Sequence, residues 1–148
     1  MKKTMLILLC ILCSGMTLFG GNDGGDTQSL IDEALKKNPR SPLVAVKGEV
    51  FLDDIGSPVL QVLFYNRSEK EIDAFEFDCV VCDTFGRMVS LRGGRFRGLA
   101  QHILIAPNQG NVLEWNLFLE RNASKAKAFR ITLIHFTDDT VWRMPGVK

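Results

Sequence analysis

The sequence has few residues of the kinds that build catalytic or metal sites. Its 148 residues include two histidines and four cysteines, and only Cys79 and Cys82 lie beyond the N-terminal apolar run. His102 and His135 are far apart and belong to no cluster with metal-ligand spacing. We find no nucleophile–base motif and no glycine-rich loop leading from a strand into a helix. We therefore predict no catalytic residues, no metal site and no cofactor.

The sequence also lacks an excess of charge of either sign. It has 18 basic and 17 acidic residues, and cleavage of a leader containing two lysines would leave 16 and 17, a net charge of −1. A nucleic-acid-binding domain is expected to be clearly basic. We therefore predict that nucleic acid is not a partner.

A long apolar run occurs only at the N-terminus, where two lysines precede the stretch from Met5 to Phe19. About 15 apolar residues after a positive start are typical of a secretory signal peptide and too few for a comfortable membrane span. We predict a signal peptide at residues 1–21 and an exported protein, periplasmic or extracellular. Lipid attachment at Cys13 is an alternative, although Leu12 stands where a lipoprotein signal has a small residue. A membrane tether would come only through that lipid or through an uncleaved leader.

Residues 22–42 are predicted to form a polar linker followed by one short helix. The glycine-rich start of this segment cannot bury apolar surface. From Ser29 onwards the apolar residues share one face, Ser29 and Asp32 can form a capping box, and Pro39 follows the last turn. We expect the helix to begin near Ser29 and to pack against the domain that follows.

From Leu43 onwards apolar residues alternate with polar ones, which is the period of strands. Turn-forming residues separate the segments at hairpin-like spacing without a helical segment between them, which is typical of an antiparallel sandwich or barrel. We predict one domain, residues 43–148. The predicted strands are 43–52, 59–66, 72–82, 88–91, 102–105, 111–119, 128–136 and 140–144.

The same alternation predicts which side chains of two strong strands face the core. In residues 111–119 they are Leu113, Trp115, Leu117 and Leu119, and in residues 128–136 they are Phe129, Ile131, Leu133 and His135. Phe118 has the opposite parity, so we expect it to be exposed, where it could mark a contact face.

The C-x-x-C spacing of Cys79 and Cys82 raises the question of a redox or zinc site. A redox pair normally lies at a helix N-terminus, whereas the surrounding sequence FEFDCVVC favours extended backbone. Strand residues three apart lie about 10 Å from each other, beyond the reach of a disulfide. We predict that Cys79 is a core residue and that Cys82, at the end of the strand, is partly exposed. A thiol-based metal or redox site is the alternative.

The segment RMVSLRGGRFRG, residues 87–98, is predicted to be a basic loop. Its candidate binding residues are Arg92, Arg95, Phe96 and Arg97. Such a loop could bind phosphates, anionic glycans or an acidic partner. It could equally be a solvated loop whose charges protect a neighbouring edge strand from aggregation.

Three segments between Leu60 and Trp142 share a pattern of turns and apolar strands: FYNRSEKEIDAFEFDCVVCDTFG, LEWNL and ITLIHFTDDTVW. An Asn-x-Ser turn leads into a strand that ends in Asp-x-x-Gly, and a later strand carries a core tryptophan. The structural residues predicted in this part of the chain are Asn66, Ser68, Cys79, Asp83, Gly86, Trp115 and Trp142.

This pattern resembles small bacterial cell-envelope β-domains, of which the FxLYD domain and related domains of unknown function are examples. The chain departs from the pattern at Cys82, where the motif has Tyr, and at Asp139, where Gly is more usual. The resemblance implies an immunoglobulin-like sandwich in the envelope or outside it, and it brings no catalytic residues.

Together these features predict an all-β fold: an antiparallel immunoglobulin-like β-sandwich of about seven or eight strands, preceded by a signal peptide and one short N-terminal helix. The expected function is non-enzymatic binding or scaffolding in the bacterial cell envelope. Its partner would be another envelope protein or an anionic envelope component, met by strand addition at a sheet edge or through the Arg92–Arg97 loop. The alternatives are a thiol-based metal-binding or redox protein using Cys79 and Cys82, and a lipid-anchored structural envelope protein.

Overall fold

The computed structural model describes residues 24–89, 95–118 and 120–146, which form one helix followed by seven strands. The elements are α1 (Gly24–Lys37), β1 (Leu43–Leu52), β2 (Pro58–Asn66), β3 (Ile72–Cys82), β4 (Phe96–Ala100), β5 (Gly110–Asn116), β6 (Lys125–Phe136) and β7 (Val141–Arg143). The predicted signal peptide, with Cys13, lies outside the described residues. Within the described ranges, no helix is long and apolar enough to cross a membrane.

The strands form two antiparallel sheets. One sheet has the order β1-β2-β5, and the other has the order β4-β3-β6-β7. β1, β2 and β5 thus lie in a different sheet from β3, β6 and β7, as the corresponding strands do in immunoglobulin-like sandwiches. β4 belongs to the same sheet as β3. The predicted all-β sandwich with a short N-terminal helix is therefore confirmed.

Aromatic rings fill the space between the two sheets. The ring centroid of Phe64 lies 4.7 Å from that of Phe75 and 5.4 Å from that of Phe77. Trp115 packs edge-on against Phe77 with a centroid distance of 4.7 Å. The indole Nε1 of Trp115 also donates a hydrogen bond of 3.0 Å to the carbonyl oxygen of Leu99. This bond joins β5 of one sheet to the edge strand β4 of the other.

The helix begins earlier than predicted. α1 starts at Gly24 and includes glycine-rich sequence, so Ser29 lies inside the helix instead of capping it. Asp26 is in the first turn, where a negative charge favours the helix dipole, and the Gln28 amide donates to Asp32 one turn later at 3.0 Å. These interactions extend the helix into the segment that was predicted to be a linker.

Part of the predicted basic loop is a strand. β4 begins within it, at Phe96, and pairs with β3, whereas the strand predicted at 102–105 contributes a single bridge at Ile105. His102 has a φ of +55°, which interrupts extended backbone at the start of that segment. The strand predicted at 88–91 contributes a bridge at Met88, and residues 90 and 91 lie outside the described ranges.

A bulge in β6 reverses the side-chain alternation in the second half of this strand. The ladder with β3 changes register between Ile131 and Leu133. Ile131 and Ile134 are both buried, although they are three residues apart, so Leu133 and His135 point away from the core. The prediction of an inward side chain is therefore right for Ile131 and wrong for Leu133 and His135.

The inward side chains predicted for the fifth strand lie against the core. Leu113 and Trp115 are half-buried there, and Leu117 is fully buried. Leu119 lies outside the described residues. Phe118 is exposed, as its parity predicts.

Asn66 holds the turn between β2 and β3. It is fully buried, and its amide nitrogen lies 2.8 Å from the carbonyl oxygen of Lys70, 2.9 Å from that of Ile105 and 3.3 Å from that of Ala106. Its side-chain oxygen accepts hydrogen bonds from the backbone N–H and the hydroxyl of Ser68 at 3.0 and 2.7 Å. One side chain thus joins this turn to the segment that leads into β5.

The turn after β3 is held by Asp83. Its Oδ1 accepts the backbone N–H groups of Phe85 and Arg87, both at 2.9 Å. Its Oδ2 pairs with Nε of Arg87 at 2.8 Å, and Gly86 adopts a φ of +81° that favours glycine. Trp142 packs against the core from β7.

Candidate functional site: a basic face of the four-stranded sheet

The arginines of the predicted binding segment lie on the outer face of the four-stranded sheet. Arg97 is exposed on β4, opposite Asp78 of β3. Arg95 precedes β4, and its guanidinium reaches across to the Asp78 carboxylate. Phe96 points the other way and packs against the core. The structure thus brings Arg95 and Arg97 together and separates Phe96 from them, while Arg92 lies outside the described residues.

Asp78 fixes two arginines on this face. Its buried carboxylate accepts a bond of 2.6 Å from Nε of Arg95 and bonds of 2.6 and 3.2 Å from Nη2 and Nε of Arg130. Arg95 also donates from Nη2 to the carbonyl oxygen of Ala128 at 2.9 Å. Both guanidinium groups therefore have a fixed orientation, although the side chains of Arg95 and Arg130 remain 37% and 41% exposed.

Two opposing effects set the pKa of Asp78. Burial raises the pKa, but hydrogen bonds from Arg130 and Arg95, together with their positive charges, lower it by more. The pKa therefore lies below its ordinary value. The carboxylate stays ionised at neutral pH and keeps both arginines in place.

The protein should lose stability in acid through Asp78. The folded-state pKa lies below the value of about 3.9 in the unfolded chain, so the ion pairs stabilise the fold above about pH 4 and are lost as the pH falls towards the folded value. Asp78→Asn should be less stable than wild type at pH 7 and should lose less stability between about pH 5 and pH 2. Urea unfolding across this range measures both quantities, with the exposed Asp54→Asn as control. An acid loss as large in Asp78→Asn as in wild type would contradict the assignment.

β6 adds further bases to the same face. Ala126 and Phe129 of this strand pack against the core, and a register shift between Lys127 and Arg130 accounts for their spacing of three residues. Lys125, Lys127 and Arg130 therefore lie on the opposite side of the sheet. Neighbouring strands lie about 4.8 Å apart, so the bases of β4 and β6 flank β3 at a separation of about 10 Å. We call the following five residues the basic face: Arg95, Arg97, Lys125, Lys127 and Arg130.

The basic face concentrates positive charge in a chain that is almost neutral as a whole. Its five bases and the carboxylate of Asp78 sum to +4, whereas the entire chain has a net charge of +1. Among the residues that the structure describes, Arg97, Lys125 and Lys127 make no ion pair with a carboxylate. These charges are therefore available to an anion from solution.

The two cysteines are both buried on β3, and both are free thiols. Cys79 is a core residue, as predicted. The prediction of a partly exposed Cys82 is wrong, because β3 continues through it and it pairs with β6 on one side and Met88 on the other. Burial, assisted by the negative charge of Asp78, raises the pKa of Cys79 to about 12. This thiol keeps its proton at neutral pH, which opposes a role as nucleophile or metal ligand.

His135 lies in a shallow groove of about 620 Å³ farther along the same sheet face. Its Nδ1 is 2.7 Å from Oδ1 of Asp73, and this hydrogen bond raises the pKa of His135 above its ordinary value. His102 and Glu76 also line the groove, but its described lining includes no serine, threonine or cysteine. In the described part of the chain, no three histidine, cysteine or acidic side chains are grouped to hold a metal. The groove therefore offers a His–Asp pair without a nucleophile or a ligand set beside it.

Comparisons with known proteins bear on the fold alone. No protein-family model matches the chain, and no curated protein matches it. The crystal structure of a hypothetical protein from Peptoclostridium difficile 630 is similar, with 15% sequence identity and a TM-score of 0.53 over 72% of this chain and 88% of that one. At this identity the similarity supports the sandwich architecture and carries no information on activity.

Proposed function

We propose that this protein is an exported, non-enzymatic binding module of the bacterial cell envelope, and that its basic face binds an anionic polymer of that compartment. The observation that carries the proposal is the group of five bases around Asp78, which sums to +4 in a nearly neutral chain. The N-terminal apolar run after two lysines supports export. The envelope location follows from the resemblance to small envelope β-domains.

The arrangement of the bases favours a linear polyanion over a single phosphate. Lys125, Lys127 and Arg130 follow one another along β6 opposite Cys82, Val80 and Asp78, which span about 13 Å at about 3.3 Å per residue. The arginines of β4 form a second row about 10 Å away across β3. Because these bases project from a sheet surface instead of converging in a pocket, they suit successive anionic groups along a chain. Two of the arginines are already ordered by Asp78, which reduces the side-chain entropy lost on binding.

Reversing two charges of the basic face should abolish most of this binding. Arg97→Glu combined with Lys127→Glu should weaken binding of polyphosphate about 50-fold, since each base near a polyanion contributes roughly 1 kcal/mol and each reversal adds repulsion. Isothermal titration calorimetry at low and physiological salt measures the affinity, which should fall as salt screens the charges. These two positions are chosen because neither holds Asp78, so the fold should persist, and thermal unfolding checks that it does.

The matched control makes the same change of charge elsewhere. Lys36→Glu combined with Arg67→Glu alters two exposed bases, one at the end of α1 and one in the turn after β2. This control should bind polyphosphate within about twofold of wild type, because its bases lie outside the face. Equal losses in the two double variants, or no polyphosphate binding by wild type, would overturn the proposed function.

A further inference from the structure

Three connections meet at one end of the sandwich, and each presents an apolar side chain to solvent. Ile55 in the β1–β2 turn is 81% exposed, Phe85 in the turn after β3 is 83% exposed, and Phe118 in the β5–β6 loop is 63% exposed. The backbone N–H of Leu117 bonds the carbonyl oxygen of Pro58 at 2.8 Å, so the β5–β6 loop starts beside the β1–β2 turn. The N–H of Ser124 bonds the carbonyl oxygen of Cys82 at 2.9 Å, so the same loop ends beside the turn after β3.

The β1–β2 turn and the turn after β3 are closed by the same pattern of hydrogen bonds. Oδ1 of Asp53 accepts the N–H groups of Ile55 and Ser57 at 3.1 and 2.7 Å, as Oδ1 of Asp83 accepts those of Phe85 and Arg87. Each tip residue therefore has its backbone N–H satisfied within the turn. Such a tip residue can move out of water without leaving its backbone N–H group unpaired, and burial of its side chain is then favourable.

The charges around the three tips are unequal. Ile55 follows two consecutive acids, Asp53 and Asp54. Near Phe85, the guanidinium of Arg87 lies 5.1 Å from the ring centroid. The loop that contains Phe118 carries Glu120 and Arg121 and leads into Lys125, which is the first residue of β6 and belongs to the basic face. Phe85 thus has a base beside it and the loop of Phe118 ends at a base, whereas Ile55 is set in an acidic turn.

We propose that Phe85 and Phe118 insert into the interface of an anionic phospholipid membrane while the basic face meets the headgroups. The inference goes beyond the proposed function, on which its electrostatic part rests, by adding a second anionic partner: a lipid surface that presents many phosphate groups to the same basic face. Two aromatic tips on separate loops project from the fold, and a fluid interface accommodates projecting tips without a complementary pocket. Anionic lipid headgroups supply the negative surface that the +4 charge of the basic face complements.

Vesicle binding by the full mature chain tests this proposal. Vesicles of phosphatidylglycerol and phosphatidylcholine should bind the protein, and vesicles of phosphatidylcholine alone should bind it at least about tenfold more weakly. Phe85→Ser and Phe118→Ser should each weaken binding to the anionic vesicles about tenfold, because each removes an apolar side chain that leaves water. Ile55→Ser is the matched control: an equally exposed tip in the acidic turn, expected to change binding less than about twofold. Circular dichroism confirms that each variant is folded.

Polyphosphate binding separates this proposal from the function on which it rests. The Phe85→Ser and Phe118→Ser variants should bind polyphosphate like wild type, whereas the Arg97→Glu, Lys127→Glu variant should lose both polyphosphate and anionic vesicles. Polyphosphate binding without vesicle binding would overturn the membrane proposal and leave the proposed function standing. Vesicle binding that is unaffected by both phenylalanine substitutions, or lowered equally by Ile55→Ser, would overturn the assigned insertion. Failure to bind either probe would overturn both.

Discussion

Gly98→Ala is expected to lower the free energy of unfolding by about 3 kcal/mol, because the fold has no space for a methyl group at this position. Gly98 lies on β4 directly opposite Phe77. An added Cβ would lie 2.1 Å from Cε1 and 2.4 Å from Cζ of the Phe77 ring. That ring is fully buried and packed against Phe64, Phe96 and Trp115. It cannot turn aside without displacing the aromatic core.

A double-mutant cycle separates the clash from other effects of adding a methyl group. In a Phe77→Leu background, Gly98→Ala should cost less than about 1 kcal/mol, because the ring that blocks the methyl group is gone. Urea unfolding of the four proteins completes the cycle. Gly110→Ala on β5 is the matched control, since the nearest atom to its added Cβ is the carbonyl oxygen of Phe64 at 3.2 Å, and it should also cost less than about 1 kcal/mol. Equal costs of Gly98→Ala in the two backgrounds would show that the ring is not responsible.

Asn66→Ala should lower the free energy of unfolding by about 3 kcal/mol. The side chain is fully buried, so water cannot readily take over its hydrogen bonds. Its loss removes the donor to the carbonyl oxygens of Lys70, Ile105 and Ala106, and it removes the acceptor of two bonds from Ser68. Urea unfolding at neutral pH measures the change.

Three further variants show whether buried hydrogen bonds cause that loss. Ser68→Ala removes only the hydroxyl at the rim of the network and should cost about 1 kcal/mol. Asn116→Ala, at an exposed position on β5, should cost less than about 0.5 kcal/mol. Asn66→Asp should cost at least as much as Asn66→Ala at neutral pH, because a carboxylate would face three carbonyl oxygens. An Asn66→Ala protein as stable as Asn116→Ala would exclude the network as a source of stability.

Much of the fold could be predicted from the sequence because three consecutive strands have strong local signals. The bounds of β1 and β3 equal the predicted ranges, and β2 begins one residue earlier than expected. Each of these strands is rich in β-branched and aromatic residues, and the turns after β1 and β3 have an aspartate followed three residues later by a glycine. In these segments the local preference and the tertiary structure agree.

Two features of the fold depend on contacts that a local pattern does not contain. β4 has the sequence FRGLA, whose glycine and arginine favour a loop. The segment forms a strand in the fold, where the ring of Phe77 on the neighbouring strand covers Gly98. The orientation of His135 depends on the bulge near Thr132, which inserts one residue between Ile131 and Leu133. Alternation alone assigns every residue after a bulge to the wrong face.

The candidate site could be predicted only in part, because its residues come from strands that are distant in the sequence. Arg95 and Arg97 form a local cluster that is visible in the sequence. Lys125, Lys127 and Arg130 resemble ordinary exposed positions of a distant strand, and nothing near them marks a site. The sheet order β4-β3-β6 places the two groups on either side of β3. The buried Asp78 between them was missed because one acid in an apolar strand has no sequence signal of its own.

The hydrogen bond from Trp115 to Leu99 also affects how separate copies of this protein can associate. Fibres and amorphous aggregates often start where the unpaired backbone groups of an edge strand accept a strand from another molecule. On β4 the carbonyl oxygen of Leu99 is already occupied by the indole N–H, and Arg97 adds a charge to the same strand. A strand arriving at this edge would compete with the indole N–H for that carbonyl oxygen. The tryptophan that completes the packing between the sheets therefore also limits where strand-to-strand growth can begin.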